Sequence, residues 1–279
     1  MRFRLRSRML SLVWVAIALL LLSSLSGCAR GGAGARSGQS SITLAGSTSV
    51  QPFAEMLAEE YAKKYPDRPP VNVQGGGSSA GARAAMSGAA QIGMMSRELA
   101  PGEESLKYVE IARDAIALVV HPANPVGELT LDQVRGIFTG EITDWNQVGG
   151  PPGRITVVSR EEGSGTRGAF DELVLRGAVV SPRAIVQDSN GAVRQTVSQD
   201  KMAIGYISLG LVDSPVKAVA VGGVQPTIEN ARSGAYKLVR PFLFVYKGEL
   251  SPEAKAFLDF VIGEEGQRIL ASEGLVTGK

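Results

Sequence analysis

From position 41 onward, short apolar runs rich in β-branched residues alternate with segments in which apolar residues recur every three or four positions. The first pattern predicts strands and the second predicts amphipathic helices. In the first part of the chain we predict strands at 41–45, 71–73, 92–95 and 116–120, and helices at 53–65 and 80–86. In the second part we predict strands at 155–159, 203–207 and 242–246, and helices at 166–176 and from 252 to about 270. Strands and helices that alternate in this way indicate an α/β fold.

Two of these runs suggest how the chain is divided. The strands at 116–120 and 242–246 are strongly apolar and far apart in sequence. If both cross between two folded lobes, the first lobe is discontinuous and the C-terminal helix returns to it. We therefore predict that lobe 1 consists of residues 42–119 and 243–279, and that lobe 2 consists of residues 120–242.

The first 27 residues predict an export signal peptide. Residues 1–8 contain four arginines and no acid, and an apolar run follows over 9–22. That run is shorter than the roughly 20 apolar residues that a membrane-spanning helix needs, and small residues follow it. The expectation for residues 1–27 is therefore a cleaved signal and not a permanent membrane span.

Residues 25–28, Leu-Ser-Gly-Cys, resemble the bacterial lipobox, in which the cysteine thiol is diacylated and becomes the new N-terminus. Cys28 is the only cysteine of the chain, so it cannot form an internal disulfide. The alternative is an incidental thiol within an ordinary signal. Residues 28–41 are rich in Gly, Ser and Ala, which predicts a flexible tether. We expect a lipoprotein that is anchored to a membrane outside the cytoplasm.

Net charge bears on the class of partner. The chain has a net charge of +2, and loss of the four arginines with residues 1–27 changes it to −2. A nearly neutral body gives no sign of a basic face for nucleic acid. The remaining length, roughly 250 residues, suits two modest domains.

Three loops between a predicted strand and a predicted helix are rich in Gly, Ser and Thr, namely 46–49, 75–79 and 163–166. Each offers backbone N–H groups and hydroxyls at the positive end of a helix dipole, which suits a small anion. A single such loop is weak evidence because Ser and Gly often cap helices for structural reasons. Three loops together with Arg97 and Arg160, both at strand ends, indicate an oxyanion site, since arginine offers forked donors to such oxygens.

Several segments resemble the phosphate-binding proteins of bacterial phosphate ABC importers, in the periplasmic binding protein superfamily. They are LAGSTSVQPF (44–53), VQGGGSSAG (73–81), QIGMMSREL (91–99), IFTGEITDWNQVGGP (137–151), SREEGSGTRGAF (159–170), SNGAVRQTV (189–197) and AIGYISLG (203–210). The resemblance extends from about 42 to 274. It implies a type II-like α/β fold in which a two-strand hinge joins two lobes and the ligand lies in the cleft between them. It also implies a monomeric receptor, neither an enzyme nor a cofactor protein, that delivers inorganic phosphate to the permease subunits of an importer.

The matching motifs imply phosphate-binding roles for seven residues, namely Thr48, Ser49, Ser78, Arg160, Ser164, Gly165 and Thr166. Glu162 is a candidate to orient Arg160, although a solvated surface acid fits the sequence equally well. The family's best-known pattern has an aspartate that accepts the phosphate proton where this chain has Ser96, followed by Arg97. We include Ser96 and Arg97 among the expected ligands and leave the proton acceptor open.

Three groups are candidates for that acceptor. Glu98 shares a strand face with Ser96 if the chain is extended there, because residues two apart point to the same side. Otherwise Glu98 pairs with Arg97 or caps the next turn. A backbone carbonyl or a serine oxygen is then the acceptor, since a hydroxyl has lone pairs.

Other functions fit the sequence less well. Residues 77–81, Gly-Ser-Ser-Ala-Gly, match the nucleophile elbow of a serine hydrolase with Ser79 as the nucleophile. The only histidine is His121, which we interpret as a structural residue. We expect no metal site, because one histidine and one cysteine leave mostly carboxylates and no acid cluster has EF-hand spacing. A receptor for another tetrahedral oxyanion, such as sulfate, and a phosphate sensor without transport stay open.

Overall fold

The computed structural model describes residues 41–278. Its strands are β1 Ile42–Gly46, β2 Val71–Gly75, β3 Ile92–Met95, β4 Leu106–Val120, β5 Glu128–Leu129, β6 Thr156–Arg160, β7 Ile185–Gln187, β8 Ala203–Ser208, β9 Lys217–Val221 and β10 Val239–Lys247. Its α-helices are α1 Gln51–Lys64, α2 Ser78–Ser87, α3 Leu131–Thr139, α4 Gly165–Phe170, α5 Asn190–Gln199, α6 Ile228–Arg232, α7 Pro252–Ile262 and α8 Glu264–Ser272. A π-helical turn, Asp171–Leu175, continues α4, and 3₁₀ turns lie at Trp145–Val148 and Leu209–Leu211.

The strands form one hydrogen-bonded sheet that passes through two lobes. Its order is β2-β1-β3-β10-β4-β8-β6-β7, and β9 pairs with β4 and β5. We call lobe 1 the half with β1 to β3 and β10, and lobe 2 the half with β5 to β9. Strand β4 belongs to both, because it pairs with β10 up to Ala115 and with β8 from Ile116 onward. The predicted two-lobe α/β fold is confirmed, while the predicted lobe limits at 119/120 and 242/243 stay a prediction.

Each lobe has its own hydrophobic core. In lobe 1, helix α1 and the C-terminal helices pack on the sheet, with the Phe53 and Phe242 ring centroids 5.9 Å apart. In lobe 2, the Phe170 ring stacks on Tyr206 at 4.1 Å. The Tyr206 hydroxyl lies 2.9 Å from Ser159 Oγ and accepts from the backbone N–H of Arg160 at 3.3 Å. Burial raises the pKa of Tyr206 to about 12, so at neutral pH this core residue anchors the end of β6 as a neutral phenol.

The predicted C-terminal helix from 252 to about 270 is wrong as a single element. Helix α7 ends at Ile262 and α8 begins at Glu264. Between them Gly263 has an extended backbone with φ −73° and ψ 169°. Apolar residues keep a helical spacing on both sides of the break, so the periodicity alone did not reveal it.

Within residues 41–278, no helix is both long and apolar enough to span a bilayer. The predicted signal peptide, the predicted lipid-attachment residue Cys28 and all but the last residue of the predicted tether lie outside the described residues.

Candidate anion-binding site

The three Gly/Ser/Thr loops meet where the two lobes touch. Strands β1, β2 and β3 are parallel and their carboxyl ends are aligned, with Gly46 opposite Gly75 on one side and Met94 on the other. Across the cleft, Ser49 Oγ lies 2.8 Å from Thr166 Oγ1, and the backbone N–H of Ser79 donates to the Gly163 carbonyl at 3.1 Å. The first two loops of lobe 1 therefore both contact the third loop, which belongs to lobe 2.

Helices α2 and α4 begin at this contact, and the first N–H groups of a helix have no acceptor inside it. Among the described residues, the backbone N–H groups of Ser78, Gly165 and Thr166 have no acceptor. Gly165 lies directly against lobe 1, because a Cβ added to it would be 2.1 Å from Ser78 Oγ and 2.6 Å from Ser96 Oγ. Unpaired N–H groups at two helix starts give this junction a positive electrostatic potential.

Arg160, at the end of β6, is only 1 % exposed. Its Nε and Nη2 atoms donate to the Glu161 carboxylate at 2.9 and 3.0 Å. Nη2 also donates to Thr48 Oγ1 at 3.2 Å, and the carbonyls of Gln187 and Asp188 accept further bonds from the guanidinium. Nη1 is buried and has no acceptor within residues 41–278. Nη1 is therefore the atom of the Arg160 guanidinium that is available to donate a hydrogen bond to a bound anion.

The partner of Arg160 differs from the one proposed from the sequence. Glu162 is exposed in the turn that follows β6, so the proposal that it orients the guanidinium is wrong. The adjacent Glu161 binds it through both carboxylate oxygens. The turn begins at 162 and directs that side chain to solvent, whereas Glu161 still lies beside the strand end.

A second buried guanidinium, which the sequence reasoning missed, lies behind the loops. Arg240 of β10 is 1 % exposed, and its Nε and Nη2 atoms donate to Asp114 Oδ2 at 3.1 and 2.9 Å. Nη2 also donates to Ser49 Oγ at 3.0 Å, and Nη1 donates to the Ser96 carbonyl at 3.3 Å. Burial raises the pKa of Asp114 and lowers the pKa of Arg240, while their mutual attraction opposes both shifts.

Asn190, the first residue of α5 in lobe 2, was also missed. Its Nδ2 atom donates to Thr48 Oγ1 at 3.2 Å and to Ser49 Oγ at 2.9 Å. Its Oδ1 atom accepts from the backbone N–H of Ser208 at 3.1 Å, which fixes the orientation of the amide. Asn190 thus reaches across the cleft to the first loop.

Three buried serines surround the end of β3. Ser47 Oγ donates to Ser96 Oγ at 2.9 Å, and the backbone N–H of Ser96 donates to Ser78 Oγ at 3.0 Å. The Ser78 and Ser96 hydroxyl oxygens lie 3.4 Å apart. Strand β3 ends at Met95 and the chain bends at Ser96, so the extended backbone that would place Glu98 beside Ser96 is absent there. Glu98 is exposed, which leaves a serine oxygen or a backbone carbonyl as the candidate proton acceptor at this end of the site.

Arg97 lies at the edge of the loop cluster. Its two Nη atoms bind the Glu103 carboxylate at 2.7 and 2.8 Å, and Nη2 donates to Ser79 Oγ at 3.2 Å. Although burial raises the pKa of Glu103, hydrogen bonds from Arg97 and from the Ala100 backbone outweigh it and lower that pKa overall. The charge of Arg97 is therefore largely neutralised by Glu103.

Ser79 and His121, the candidate nucleophile and base of the hydrolase alternative, each hydrogen-bond to a different partner. Ser79 Oγ accepts from Arg97, and His121 Nδ1 accepts from the backbone N–H of Ala123 at 3.0 Å. Within residues 41–278, the two residues share no hydrogen bond, and no group of three His, Cys, Asp or Glu side chains is placed to hold a metal ion. This geometry does not support the hydrolase alternative.

Direct contacts join most of the predicted ligands, namely Thr48, Ser49, Ser78, Ser96, Arg160, Gly165 and Thr166. Ser164 is the buried N-cap of α4 beside them, and its hydroxyl accepts from the backbone N–H of Arg167 at 3.2 Å. Arg97 joins the cluster only through Ser79. Their roles as ligands stay a prediction.

Comparison with known proteins identifies similar chains. A model described as PBP superfamily domain matches residues 31–265. The "Phosphate-binding protein PstS" of Bacillus subtilis (strain 168) is 33 % identical over 239 residues, which cover 84 % of this chain and 79 % of that protein. A solved "Putative Phosphate ABC Transporter Substrate-Binding Protein with Bound Phosphate" from Clostridium perfringens has 46 % identity and a TM-score of 0.83, over 86 % of this chain and 100 % of that one. An "ABC-type phosphate transport receptor" from Vibrio cholerae has 38 % identity and a TM-score of 0.71, over 85 % and 100 % of the two chains.

Proposed function

This chain belongs to the PBP superfamily and to its phosphate-binding proteins, and we propose that it is an extracytoplasmic receptor that binds inorganic phosphate between its lobes and delivers it to an ABC importer. The similar proteins carry names of binding proteins and transport receptors. The observation that carries the proposal for this chain is the buried Nη1 atom of Arg160, which has no acceptor among the described residues. A buried charged donor without a partner is costly, so an anion that accepts from it binds favourably.

The rest of the junction fits a tetrahedral oxyanion. Backbone N–H groups of Ser78, Gly165 and Thr166 are available at the junction, and the Arg160 guanidinium contacts the first loop there through Thr48 Oγ1. Glu161 and Asp114 balance the charges of Arg160 and Arg240, so a bound anion is held chiefly by directed hydrogen bonds. Because the donors come from both lobes, the anion favours the closed arrangement in which all of them reach it. We infer a monomer that closes around one phosphate ion.

We expect the purified protein to prefer phosphate to sulfate. Phosphate near neutral pH keeps a proton that it can donate to a serine oxygen at the end of β3, whereas sulfate has none. One mismatched buried polar contact costs about 1 to 3 kcal/mol, or roughly tenfold to a hundredfold in affinity. Calorimetric titration with phosphate, and competition by sulfate and molybdate, measures the preference. Equal or tighter binding of sulfate would overturn the phosphate assignment.

We also propose that Cys28 carries a lipid that anchors the receptor to a membrane outside the cytoplasm. The support is the lipobox-like segment followed by residues of tether composition. Replacement of Cys28 by alanine is expected to move the protein to the soluble fraction and to leave phosphate affinity unchanged. Ser37→Ala, within the predicted tether, is the matched control and should stay with the membranes. A processed Cys28→Ala protein that still sediments with membranes would contradict the anchor.

A further inference from the structure

A closed ring of hydrogen bonds lies behind the proposed phosphate site and connects both lobes. Arg240 and Asp114 face each other on strands β10 and β4. Asp114 Oδ1 accepts from Ser208 Oγ at 2.9 Å, and the Ser208 backbone N–H binds Asn190 Oδ1. Asn190 and Arg240 then both donate to Ser49 Oγ, which closes the ring. All of these residues are buried.

The ring determines the direction of the Ser49 hydroxyl. A hydroxyl has two lone pairs and one hydrogen. Arg240 Nη2 donates to Ser49 Oγ at 3.0 Å and Asn190 Nδ2 donates to it at 2.9 Å, so both lone pairs are occupied. The third neighbour, Thr166 Oγ1 at 2.8 Å, must therefore accept the Ser49 hydrogen. Thr166 keeps its own hydrogen for another acceptor.

The Thr48 hydroxyl also has both of its lone pairs occupied. Its Oγ1 atom accepts from Arg160 Nη2 and from Asn190 Nδ2, each at 3.2 Å. With both lone pairs engaged, the Thr48 hydroxyl also has its hydrogen available. Asn190 cannot exchange its amide ends without losing the bond from Ser208, so it remains a donor to both hydroxyls.

We propose that Arg240, held by Asp114, is a positioning residue that makes the Thr166 hydroxyl a hydrogen-bond donor toward bound phosphate. The inference rests on the proposed function and extends it, because it assigns a different task to each side of the site. On this side of the site the Thr48 and Thr166 hydroxyls both have a hydrogen free to donate to unprotonated phosphate oxygens, and Thr48 has no lone pair left. The protonated oxygen lies at the hydroxyls of Ser78 and Ser96, each of which accepts one hydrogen bond and keeps a lone pair.

A double-mutant cycle tests whether Arg240 acts through Thr166. Arg240→Met is combined with Asp114→Asn so that no unpaired carboxylate is left buried, and phosphate affinity is measured with Thr166 intact and as Thr166→Val. With Thr166 intact, the expected loss is about tenfold, comparable with one charge-assisted hydrogen bond. In the Thr166→Val background the same pair of changes should cost less than about twofold, because the hydroxyl that they redirect is gone.

Arg240→Lys should restore most of the affinity, since an ammonium group can donate to Asp114 and Ser49 at once. Equal losses in both Thr166 backgrounds would overturn the proposal and indicate a merely structural pair. Failure of the unaltered protein to bind phosphate would instead overturn the proposed function.

A neutron structure of the unaltered, phosphate-bound protein tests the hydrogen directions even if the variants do not fold. The expected result is the Ser49 deuterium on the line to Thr166 Oγ1, with the Thr166 deuterium pointing to a phosphate oxygen. A Thr166 deuterium that points to Ser49 Oγ would disprove the assignment.

Discussion

Replacement of Arg160 by alanine is expected to weaken phosphate binding by about thirtyfold to a few thousandfold, which corresponds to about 2 to 5 kcal/mol for truncating one member of a buried hydrogen-bonded charge pair. The change removes the Nη1 donor and leaves the Glu161 carboxylate beside the anion without its partner. Both effects act in the same direction, since an uncompensated carboxylate repels phosphate. Calorimetry on the folded variant measures the loss.

Two variants give this experiment its reference points. Ser164→Ala removes a neutral hydroxyl that caps α4, and we expect about a twofold to tenfold loss from one neutral hydrogen bond. Arg183→Ala removes an exposed arginine and should leave affinity unchanged. If Ser164→Ala is more damaging than Arg160→Ala while both proteins remain folded, the dominant contact has been assigned to the wrong residue.

Replacement of Gly165 by alanine is expected to reduce phosphate affinity by about fivefold to more than a hundredfold, given the roughly 1 to 3 kcal/mol that overpacking costs. The new methyl carbon would lie 2.1 Å from Ser78 Oγ and 2.6 Å from Ser96 Oγ, both in the opposite lobe. These distances are too short for non-bonded atoms, so the lobes cannot approach as closely. Phosphate titration, with small-angle scattering in the presence and absence of phosphate, measures the effect.

The matched control for this change is Gly191→Ala. A Cβ at Gly191 meets no atom within 4 Å, and the residue lies in α5, where alanine is favoured over glycine. We expect Gly191→Ala to bind phosphate with the affinity of the unaltered protein and to become as compact as that protein when phosphate is added. Gly165→Ala should show less compaction while its melting temperature without phosphate changes little. Unchanged affinity in Gly165→Ala would mean that phosphate does not require this close approach.

The sequence was informative where the signal is local. The loops at 46–49, 75–79 and 163–166 were predicted because each combines a strand end, flexible residues and a helix start within a few positions. Arg160 followed from the same local pattern. Lobe contacts such as Ser49 with Thr166 depend on the fold that brings these loops together, and the resemblance, not the spacing, supplied that fold.

The missed residues depend on contacts between distant parts of the chain. Arg240 lies 126 positions from Asp114 and 191 positions from Ser49. One signal was nevertheless present, because the nearest charges before the two long apolar runs have opposite signs, Asp114 before 116–120 and Arg240 before 242–246. A buried charge on a strand needs a partner, so the two runs could have been paired by their charges. The choice between Glu161 and Glu162 depended on where one turn begins, and side-chain direction there has no periodic pattern.

The position of β10 determines when lobe 1 can fold. This strand lies between β3 and β4 in the sheet, although 118 residues and all of lobe 2 separate it from β4 along the chain. Until residues 239–247 have been synthesised, one edge of β3 is unpaired and the lobe 1 part of β4, up to Ala115, lacks its partner strand. The half of the protein that is made first is therefore completed last, and a chain that ends before residue 239 lacks the strand that joins the two halves of the lobe 1 sheet.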